Sequence, residues 1–167
     1  MLISFGGLPG VGKTTIAQAV ARRLGAVYLR ADVIEMAMGE ALDLPDDIGP
    51  AGYIVAYAIA RSNLLLGLTV VSDCVNDVPV TRAAWRKTAF DAGVACLEVE
   101  VVCSDKAEHR RRIETRTVDA PGLDPPDWRA VVQRAYQPWP EAQLVLDTAR
   151  LDLEAAVARV LKSARSP

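Results

Sequence analysis

The sequence predicts an α/β domain with a parallel sheet at its centre, and three observations support that prediction. Short apolar runs alternate with longer helical patterns along the chain, which is typical of β-α-β units. A glycine-rich segment joins the first apolar run to the first helical pattern. The length of 167 residues, 18.0 kDa, suits one hydrophobic core. We therefore expect residues 1–167 to form a single domain.

Five apolar runs are expected to form strands, and seven helical patterns separate or follow them. The predicted strands span residues 2–5, 26–29, 69–72, 99–103 and 144–146. The predicted helices begin near Lys13, Asp32, Ala51, Pro79, Asp105, Asp127 and Leu153. Around the fourth run, Glu98 and Glu100 alternate with valines, whereas a strand covered on both faces is almost continuously apolar. One face of that strand is therefore expected to be partly open.

Composition argues against several classes of protein. The formal net charge of −2 and the pI of about 5.4 provide no global positive field to attract nucleic acid. Three cysteines without a Cys-x-x-Cys pair, and a single histidine, indicate neither a disulfide framework nor a zinc site. The apolar stretch 51–72 is interrupted by Arg61, so we expect no membrane partner. No signal-peptide pattern opens the sequence, and a cytoplasmic location is expected.

The glycine-rich segment carries the most specific motif. Residues 7–14, GLPGVGKT, match G-x4-G-K-[ST] between an apolar strand and a helix predicted over 14–24. Glycines let successive backbone N–H groups point at phosphate oxygens, and the helix N-terminus adds a positive dipole end. Lys13 is expected to reach the β and γ phosphates, Thr14 to ligate Mg²⁺ and Thr15 to contact the α phosphate. The predicted nucleotide ligands here are Gly7, Pro9, Gly10, Val11, Gly12, Lys13, Thr14 and Thr15.

Two aspartates follow apolar runs, and ligands of open α/β sheets bind beyond the carboxyl ends of the strands. Asp32 follows the second run and could accept the proton of a hydroxyl that attacks the γ phosphate. The alternative is that Asp32 only caps a helix. Asp73 ends the third run, the usual place of a carboxylate that holds Mg²⁺ through water. Its alternative is a plain turn residue.

Arginines crowd the predicted helix that precedes a loop rich in proline and glycine. Arg112 and Arg116 are one helical turn apart, and Arg134 follows on the next helix. Arginines on a closing lid would stabilise the charge of the phosphoryl group during transfer. The alternative is an exposed helix with internal ion pairs, which is the favoured interpretation for Arg110 and Arg111.

Other side chains are weaker candidates. Tyr53 and Tyr57 share a helix face on the acceptor side of the chain, although such a stripe is more often core. Asn76 follows the third strand and could face the acceptor. His109 lies among arginines on a polar helix face, and no role is assigned to it.

Five segments in order resemble one group of enzymes. GLPGVGKTT, the Arg-x-Asp that ends at Asp32, VVSDCVND, CSDKAEHRRRIETR and LVLDT are similar to segments of the small P-loop kinases of the AAA_33/zeta-toxin-like group. These are relatives of chloramphenicol phosphotransferase, gluconate kinase and adenylylsulfate kinase. The resemblance extends over nearly the whole chain, although only the phosphate loop is highly specific.

The resemblance implies a three-layer P-loop NTPase fold of the nucleoside-monophosphate-kinase type, with five parallel strands in the order 2-3-1-4-5. It also implies ATP with Mg²⁺ as the donor and a small arginine-bearing lid at about 112–134, which includes the loop 117–126. Asp32 matches the catalytic aspartate of the antibiotic-modifying and toxin relatives. Asp147 and Thr148 correspond to the border of the adenine, and Arg112 is expected to bind the nucleotide as well as to act in transfer.

These expectations combine into an ATP-dependent kinase that phosphorylates a hydroxyl of a small molecule. The segment 72–77, SDCVND, lacks the Asp-x-x-Gly of a GTPase, the paired acidic residues of an AAA motor and the Asp-Gly-[Phe/Tyr]-Pro-Arg of adenylate kinases. Two alternatives stay open: a kinase for a nucleotide or a nucleic-acid end, and an ATP-binding regulatory module without transfer activity. A monomer or a homodimer is expected.

Overall fold

Five parallel strands form one sheet in the computed structural model, which describes residues 1–42, 49–116 and 126–165. The strands are β1 (Leu2–Gly6), β2 (Val27–Arg30), β3 (Val70–Asp73), β4 (Cys96–Val102) and β5 (Leu144–Asp147). Their order is β2-β3-β1-β4-β5, and every neighbouring pair is parallel. The predicted α/β class and strand order are confirmed.

Seven helices lie in the described part of the chain, and each begins within one residue of its predicted start. They are α1 (Lys13–Leu24), α2 (Ala31–Leu42), α3 (Ala51–Leu65), α4 (Pro79–Asp91), α5 (Lys106–Thr115), α6 (Trp128–Gln133) and α7 (Leu153–Arg165). Asp105 and Asp127 cap α5 and α6 through bonds from backbone amides to their side chains. None of the described helices is both long and apolar enough to span a membrane.

The helices cover the sheet on both faces, which makes three layers. Ile3 and Phe5 of β1 pack in a core shared with α1 and α7. Leu2, on the opposite face of the same strand, packs with residues of α3 and α4. The central strand is therefore buried on both sides, and its carboxyl end leads directly into the glycine-rich segment.

The strand face expected to be partly open is partly exposed at Cys96, Glu100 and Val102, whereas Glu98 on the same face is buried. The Glu98 side chain is only 1% exposed, and Oε1 accepts a 2.8 Å bond from Nη1 of Arg86 on α4. The side-chain oxygen of Gln143 accepts a bond from the backbone amide of Glu98. The backbone amide of Gln143 donates to the Glu98 carbonyl. Burial raises the pKa of the Glu98 carboxyl, and the guanidinium of Arg86 opposes that shift. At Glu98, a polar cluster and not solvent meets this face.

Arg82 of α4 is buried and joins two segments that are distant in sequence. Its three nitrogens donate to the carbonyls of Asn76 (2.7 Å), Pro138 (2.7 Å) and Gln137 (2.6 Å). The guanidinium also lies over the Tyr136 and Trp139 rings, 5.2 and 4.8 Å from their centroids. These contacts attach the approach to β5 to the segment that follows β3.

Replacing Arg82 by Met should strongly destabilise the protein, because three carbonyls would lose their donor in a buried setting. We expect the free energy of unfolding to fall by on the order of 3 kcal/mol in a urea titration. The matched control is Arg110→Met, which removes the exposed ion pair with Glu114 and should cost less than about 1 kcal/mol. Equal losses in the two variants would contradict the role assigned to Arg82.

Candidate active site

The glycine-rich segment is a tight loop between β1 and α1. Gly7 and Gly10 have φ angles of 140° and 81°, in the region that favours glycine. A Cβ on Gly7 would lie 2.2 Å from the carbonyl oxygen of Val101, and one on Gly10 would lie 2.4 Å from Cδ1 of Ile113. Both the backbone angles and the close neighbours therefore require glycine at these two positions.

The loop leaves backbone amides available at the N-terminus of α1. The amide of Gly7 donates to the carbonyl of Val75 over 3.0 Å, so Gly7 serves the turn itself. Within residues 1–42, 49–116 and 126–165, no hydrogen bond engages the amides of Gly10, Gly12 or Lys13. The Lys13 side chain is buried beside them. Free amides, a helix N-terminus and an ammonium group together form a site suited to phosphate.

Val11, Thr14 and Thr15 complete the segment. Val11 is buried in the core and anchors the loop. Thr14 is partly buried in the first turn of α1, while Thr15 is exposed. The contacts expected between this segment and a nucleotide stay predictions.

Asp73 lies at the carboxyl end of β3 with one carboxylate oxygen bonded. The hydroxyl of Tyr28 donates to Oδ2 over 2.7 Å, whereas Oδ1 is buried and has no hydrogen-bond partner among the described residues. Burial, and secondly the charge of Asp73, raise the pKa of the Tyr28 phenol, so it remains protonated and donates. A buried carboxylate oxygen without a partner suits Mg²⁺, which prefers oxygen ligands. Asp73 and the hydroxyl of Thr14 are the groups that would hold the ion.

Asp32 lies in the first turn of α2, near the end of β3. Its Oδ2 is 3.5 Å from Nε of Arg30, and its side chain is 38% exposed. The helix begins at Ala31, so Asp32 lies inside the first turn and not at the capping position.

Cys74, which directly follows Asp73, has a buried thiol. Burial raises its pKa most, and the charges of Asp73 and Asp32 raise it further. A bond from the Ala31 backbone and the charge of Lys13 act in the opposite direction. Arg30 at the end of β2 pairs in register with Asp73 at the end of β3, so Asp32 and Asp73 lie at the same edge of the sheet.

Asn76 was expected to face an acceptor, and that expectation is wrong. The side chain is fully buried, and Nδ2 donates to the carbonyl of Phe5 over 2.9 Å. Its backbone amide donates to the hydroxyl of Tyr53 over 3.3 Å. Tyr57 packs edge-on against Trp85 in the core, which agrees with the packing interpretation. The Asn76 side chain and the Tyr53 hydroxyl hold the segment after β3 in place.

The arginines of α5 divide into two sets. Arg110 pairs with Glu114, and Arg111 pairs with Glu108, so the ion-pair interpretation is confirmed for these two. Arg112 bonds to Glu108 as well, but its Nη1 also donates to Oγ1 of Thr148 over 2.8 Å and its Nη2 to the Thr148 carbonyl over 3.1 Å. Bonds from Arg111 and Arg112 lower the pKa of Glu108 to about 2.

Thr148 connects Arg112 to the phosphate loop. Its Oγ1 lies 2.8 Å from the carbonyl oxygen of Val11, and a Cβ on Gly12 would lie 3.5 Å from its Cγ2. Neighbouring Asp147 uses Oδ1 to accept the backbone amides of Ser104 and Ala149. A bond from the Ser104 side chain, and secondly the bonds from these amides, lower the pKa of the Asp147 carboxyl. Arg112 and Thr148 therefore lie beside the loop, whereas Asp147 organises the turn after β5.

The other two candidate arginines contact different partners. Nε of Arg134 pairs with Oδ2 of Asp77 over 2.8 Å, and Nη2 of Arg116 donates to the Pro126 carbonyl over 3.2 Å. Residues 117–125 of the expected lid lie outside the described residues. The assignment of Arg116 and Arg134 to phosphoryl transfer stays a prediction.

His109 was given no role from the sequence, yet the structure places it against the phosphate loop. It is only 6% exposed, and its Nε2 lies 2.8 Å from the carbonyl oxygen of Pro9. Ile113, four residues later, is also buried and contacts the same loop. This spacing places both residues on one helix face and is the sequence signal for a buried face of α5.

Comparison with known proteins identifies the family of the chain. A family model described as an AAA domain, AAA_33, matches residues 2–135 and confirms the resemblance drawn from the motifs. No curated protein matches the chain.

Solved structures share the fold along the full length of the chain. A protein from Chloroflexus aurantiacus assigned as a kinase has 24% identity and a TM-score of 0.76, covering 99% of this chain and 96% of its own. Kti12 from Chaetomium thermophilum, in complex with ADP-AlF3, has 21% identity and a TM-score of 0.71, covering 98% and 97%. The APS kinase CysC from Mycobacterium tuberculosis, in complex with AMPPNP and APS, has 22% identity and a TM-score of 0.67, covering 99% and 97%. The fold is that of a P-loop kinase.

The position of Asp73 leads to a prediction about magnesium. Asp73→Asn should weaken the Mg²⁺-dependent part of ATP binding by about tenfold or more, because the amide removes the charge that attracts the hydrated ion. Affinity measured by titration calorimetry in EDTA should change much less. Asp91→Asn, a surface carboxylate paired with Lys87, is the matched control and should bind ATP like wild type. A Mg²⁺ effect that survives in Asp73→Asn would contradict the assignment.

Proposed function

The chain belongs to the AAA_33 family, and on that premise we propose that it is an ATP-dependent phosphotransferase acting on a hydroxyl of a small molecule. The observation that carries this proposal is the position of Asp32 and Asp73 at the paired ends of β2 and β3, on the edge of the sheet where the phosphate loop follows β1. One carboxylate has the burial and the unpartnered oxygen that suit a metal ion. The other is partly exposed at the same edge of the sheet, where a second substrate can reach it.

In the proposed reaction, the loop amides and Lys13 bind the β and γ phosphates. Mg²⁺, when bound, neutralises charge on the phosphate oxygens. Asp32 accepts the proton of the acceptor hydroxyl while that oxygen forms a bond to the γ phosphorus. The bond from the γ phosphorus to the β–γ bridging oxygen breaks, and ADP leaves. The transferred phosphoryl group is now bonded to the acceptor oxygen as a phosphate ester, and the proton passes from Asp32 to water.

The chemistry of Asp32 favours an alcohol over a phosphate as the acceptor. A phosphate oxygen is already ionised at neutral pH, so it needs no base before it attacks. An alcohol keeps its proton at neutral pH, so a nearby carboxylate assists the transfer. Contact with Arg30 restrains the Asp32 carboxylate at the entrance to α2. A carboxylate in this position therefore supports a hydroxyl acceptor.

The position of Arg112 beside the phosphate loop supports its assignment to the nucleotide. Its guanidinium is held by Glu108 and Thr148, and Nη1 lies 3.8 Å from the place that a Cβ on Gly12 would occupy. It therefore borders the loop from the side of β5. Arg134 would have to break its ion pair with Asp77 and contact the phosphate oxygens in order to stabilise the phosphoryl group during transfer.

The first test is a screen of sugars, amino alcohols, antibiotics and other small alcohols for ATP-dependent formation of a phosphate ester, followed by phosphorus NMR. With the acceptor in hand, Asp32→Asn should lower kcat by about 10²- to 10⁴-fold, because the amide cannot accept the proton, while the affinity for ATP stays unchanged. The matched control is Glu40→Gln, an exposed carboxyl on the same helix. Full activity of Asp32→Asn on its true acceptor would exclude the proposed base.

The same screen separates the two alternative functions. Phosphorylation of nucleotides or oligonucleotide ends, with binding that weakens steeply as salt is added, would favour a nucleic-acid kinase. Tight ATP binding without ester formation on any acceptor would favour a regulatory module.

A neighbouring pair of arginines tests the nucleotide side of the site. Arg112→Met should weaken ATP binding by about tenfold, because it removes a charged group held beside the phosphate loop. Arg111→Met removes the same charge from the next position, where the side chain pairs with Glu108 at the surface, and it should leave the affinity unchanged. Calorimetric titration of both variants with ATP and Mg²⁺ measures the difference. Equal affinities would contradict the placement of Arg112 at the nucleotide.

A further inference from the structure

His109 is the single histidine of the chain and lies in the middle of α5. Its Nε2 is 2.8 Å from the carbonyl oxygen of Pro9, and its ring meets Trp128 of α6 edge to face, with centroids 5.2 Å apart. A carbonyl oxygen can only accept a hydrogen bond, so Nε2 must carry the proton. The imidazole is thus fixed by α6 on one side and donates to the phosphate loop on the other.

We propose that His109 is a positioning residue for the nucleotide phosphates. The Pro9–Gly10 peptide is trans, and in a trans peptide the C=O and the N–H point in opposite directions. A donor that holds the Pro9 carbonyl toward α5 therefore turns the Gly10 amide away from α5. The Gly10 amide is one of the loop amides that no hydrogen bond engages among the described residues. The inference rests on the proposed function, because it assumes that the loop binds ATP.

Ile113 supplies a second, independent contact between α5 and the same peptide. Its side chain fills the space where a Cβ on Gly10 would be, with Cδ1 only 2.4 Å from that point. The loop therefore cannot move toward α5, while the bond to His109 prevents it from rotating the Pro9 carbonyl away. Together the two residues hold the loop in its orientation before any ligand arrives, which lowers the cost of ordering it on binding.

Trp128 makes the position of the imidazole depend on α6. Asp127 caps this short helix by accepting the amide of Ala130, so the indole is attached to an ordered turn. The edge-to-face contact orients the His109 ring, since rotation about its side-chain bonds would break the contact. The loop geometry is thus coupled to the helix that precedes Arg134.

Two variants of His109 test the hydrogen bond separately from the packing. His109→Leu keeps apolar volume without a donor and should weaken the binding of ATP with Mg²⁺ by about tenfold in calorimetry. His109→Gln can place an amide N–H near the position of Nε2 and should restore the affinity to within about threefold of wild type. Thermal unfolding of both variants shows whether affinity merely follows stability. Affinity losses that track the loss of stability, or equal affinity in Leu, Gln and wild type, would overturn the proposal.

Side-chain NMR gives a readout that packing alone does not determine. Because the chain has one histidine, a long-range ¹H–¹⁵N correlation spectrum contains a single imidazole. We expect a proton on Nε2 and a change in the ring shifts when ATP and Mg²⁺ are added. A neutral ring protonated on Nδ1 alone, or a ring insensitive to bound ATP, would overturn the assignment.

The failures of the two proposals are distinguishable. If the wild-type protein does not bind ATP, both the proposed function and this inference are wrong. If wild type binds ATP and His109→Leu binds equally well, only the role of His109 falls.

Discussion

The phosphate loop has to keep several backbone N–H groups directed at an anion instead of at other protein atoms, and the packing around it serves that requirement. Contacts to the carbonyl oxygens of such a loop hold it while its N–H groups stay free for the anion. Thr148, after β5, lies within hydrogen-bond distance of the carbonyl of Val11, and His109, on α5, donates to that of Pro9. In the segment after β3, the carbonyl of Val75 accepts a bond from the amide of Gly7, the first residue of the loop. Three parts of the chain that are far apart in sequence thus hold one short turn.

The segment after β3, where we propose that the acceptor binds, depends on a second set of long-range contacts. Arg82 holds the carbonyl of Asn76, and the Asn76 side chain donates to β1, so the segment after β3 is fixed to the strand that leads into the phosphate loop. Arg134 attaches the end of α6 to Asp77 in the same segment. Asp73 directly precedes this segment, so the contacts that hold the segment also position Asp73. The proposed base, Asp32, lies at the neighbouring strand end, where the chain is more exposed.

Much of this arrangement is predictable from the sequence, because periodicity and short motifs are local. The starts of the helices, the phosphate loop and the strand-end positions of Asp32 and Asp73 follow from patterns within a few residues, and the strand order follows from the resemblance to small P-loop kinases. The burial of Glu98 does not, because its partner Arg86 is on another element. The burial of His109 is not predictable for the same reason: its polar neighbours hide a contact with a residue 100 positions earlier. Side chains whose role depends on a distant partner escape a local analysis.

The proposed reaction requires Asp32 to act on the attacking oxygen. A crystal structure with ADP, Mg²⁺, aluminium fluoride and the acceptor found by screening would test it most directly, because the aluminium fluoride imitates the phosphoryl group in transfer. We expect an Asp32 carboxylate oxygen within about 3 Å of the acceptor hydroxyl, with that hydroxyl in line with the β–γ bridging oxygen. An Asp32 side chain that remains turned toward Arg30, with a different group or only water beside the acceptor hydroxyl, would contradict it.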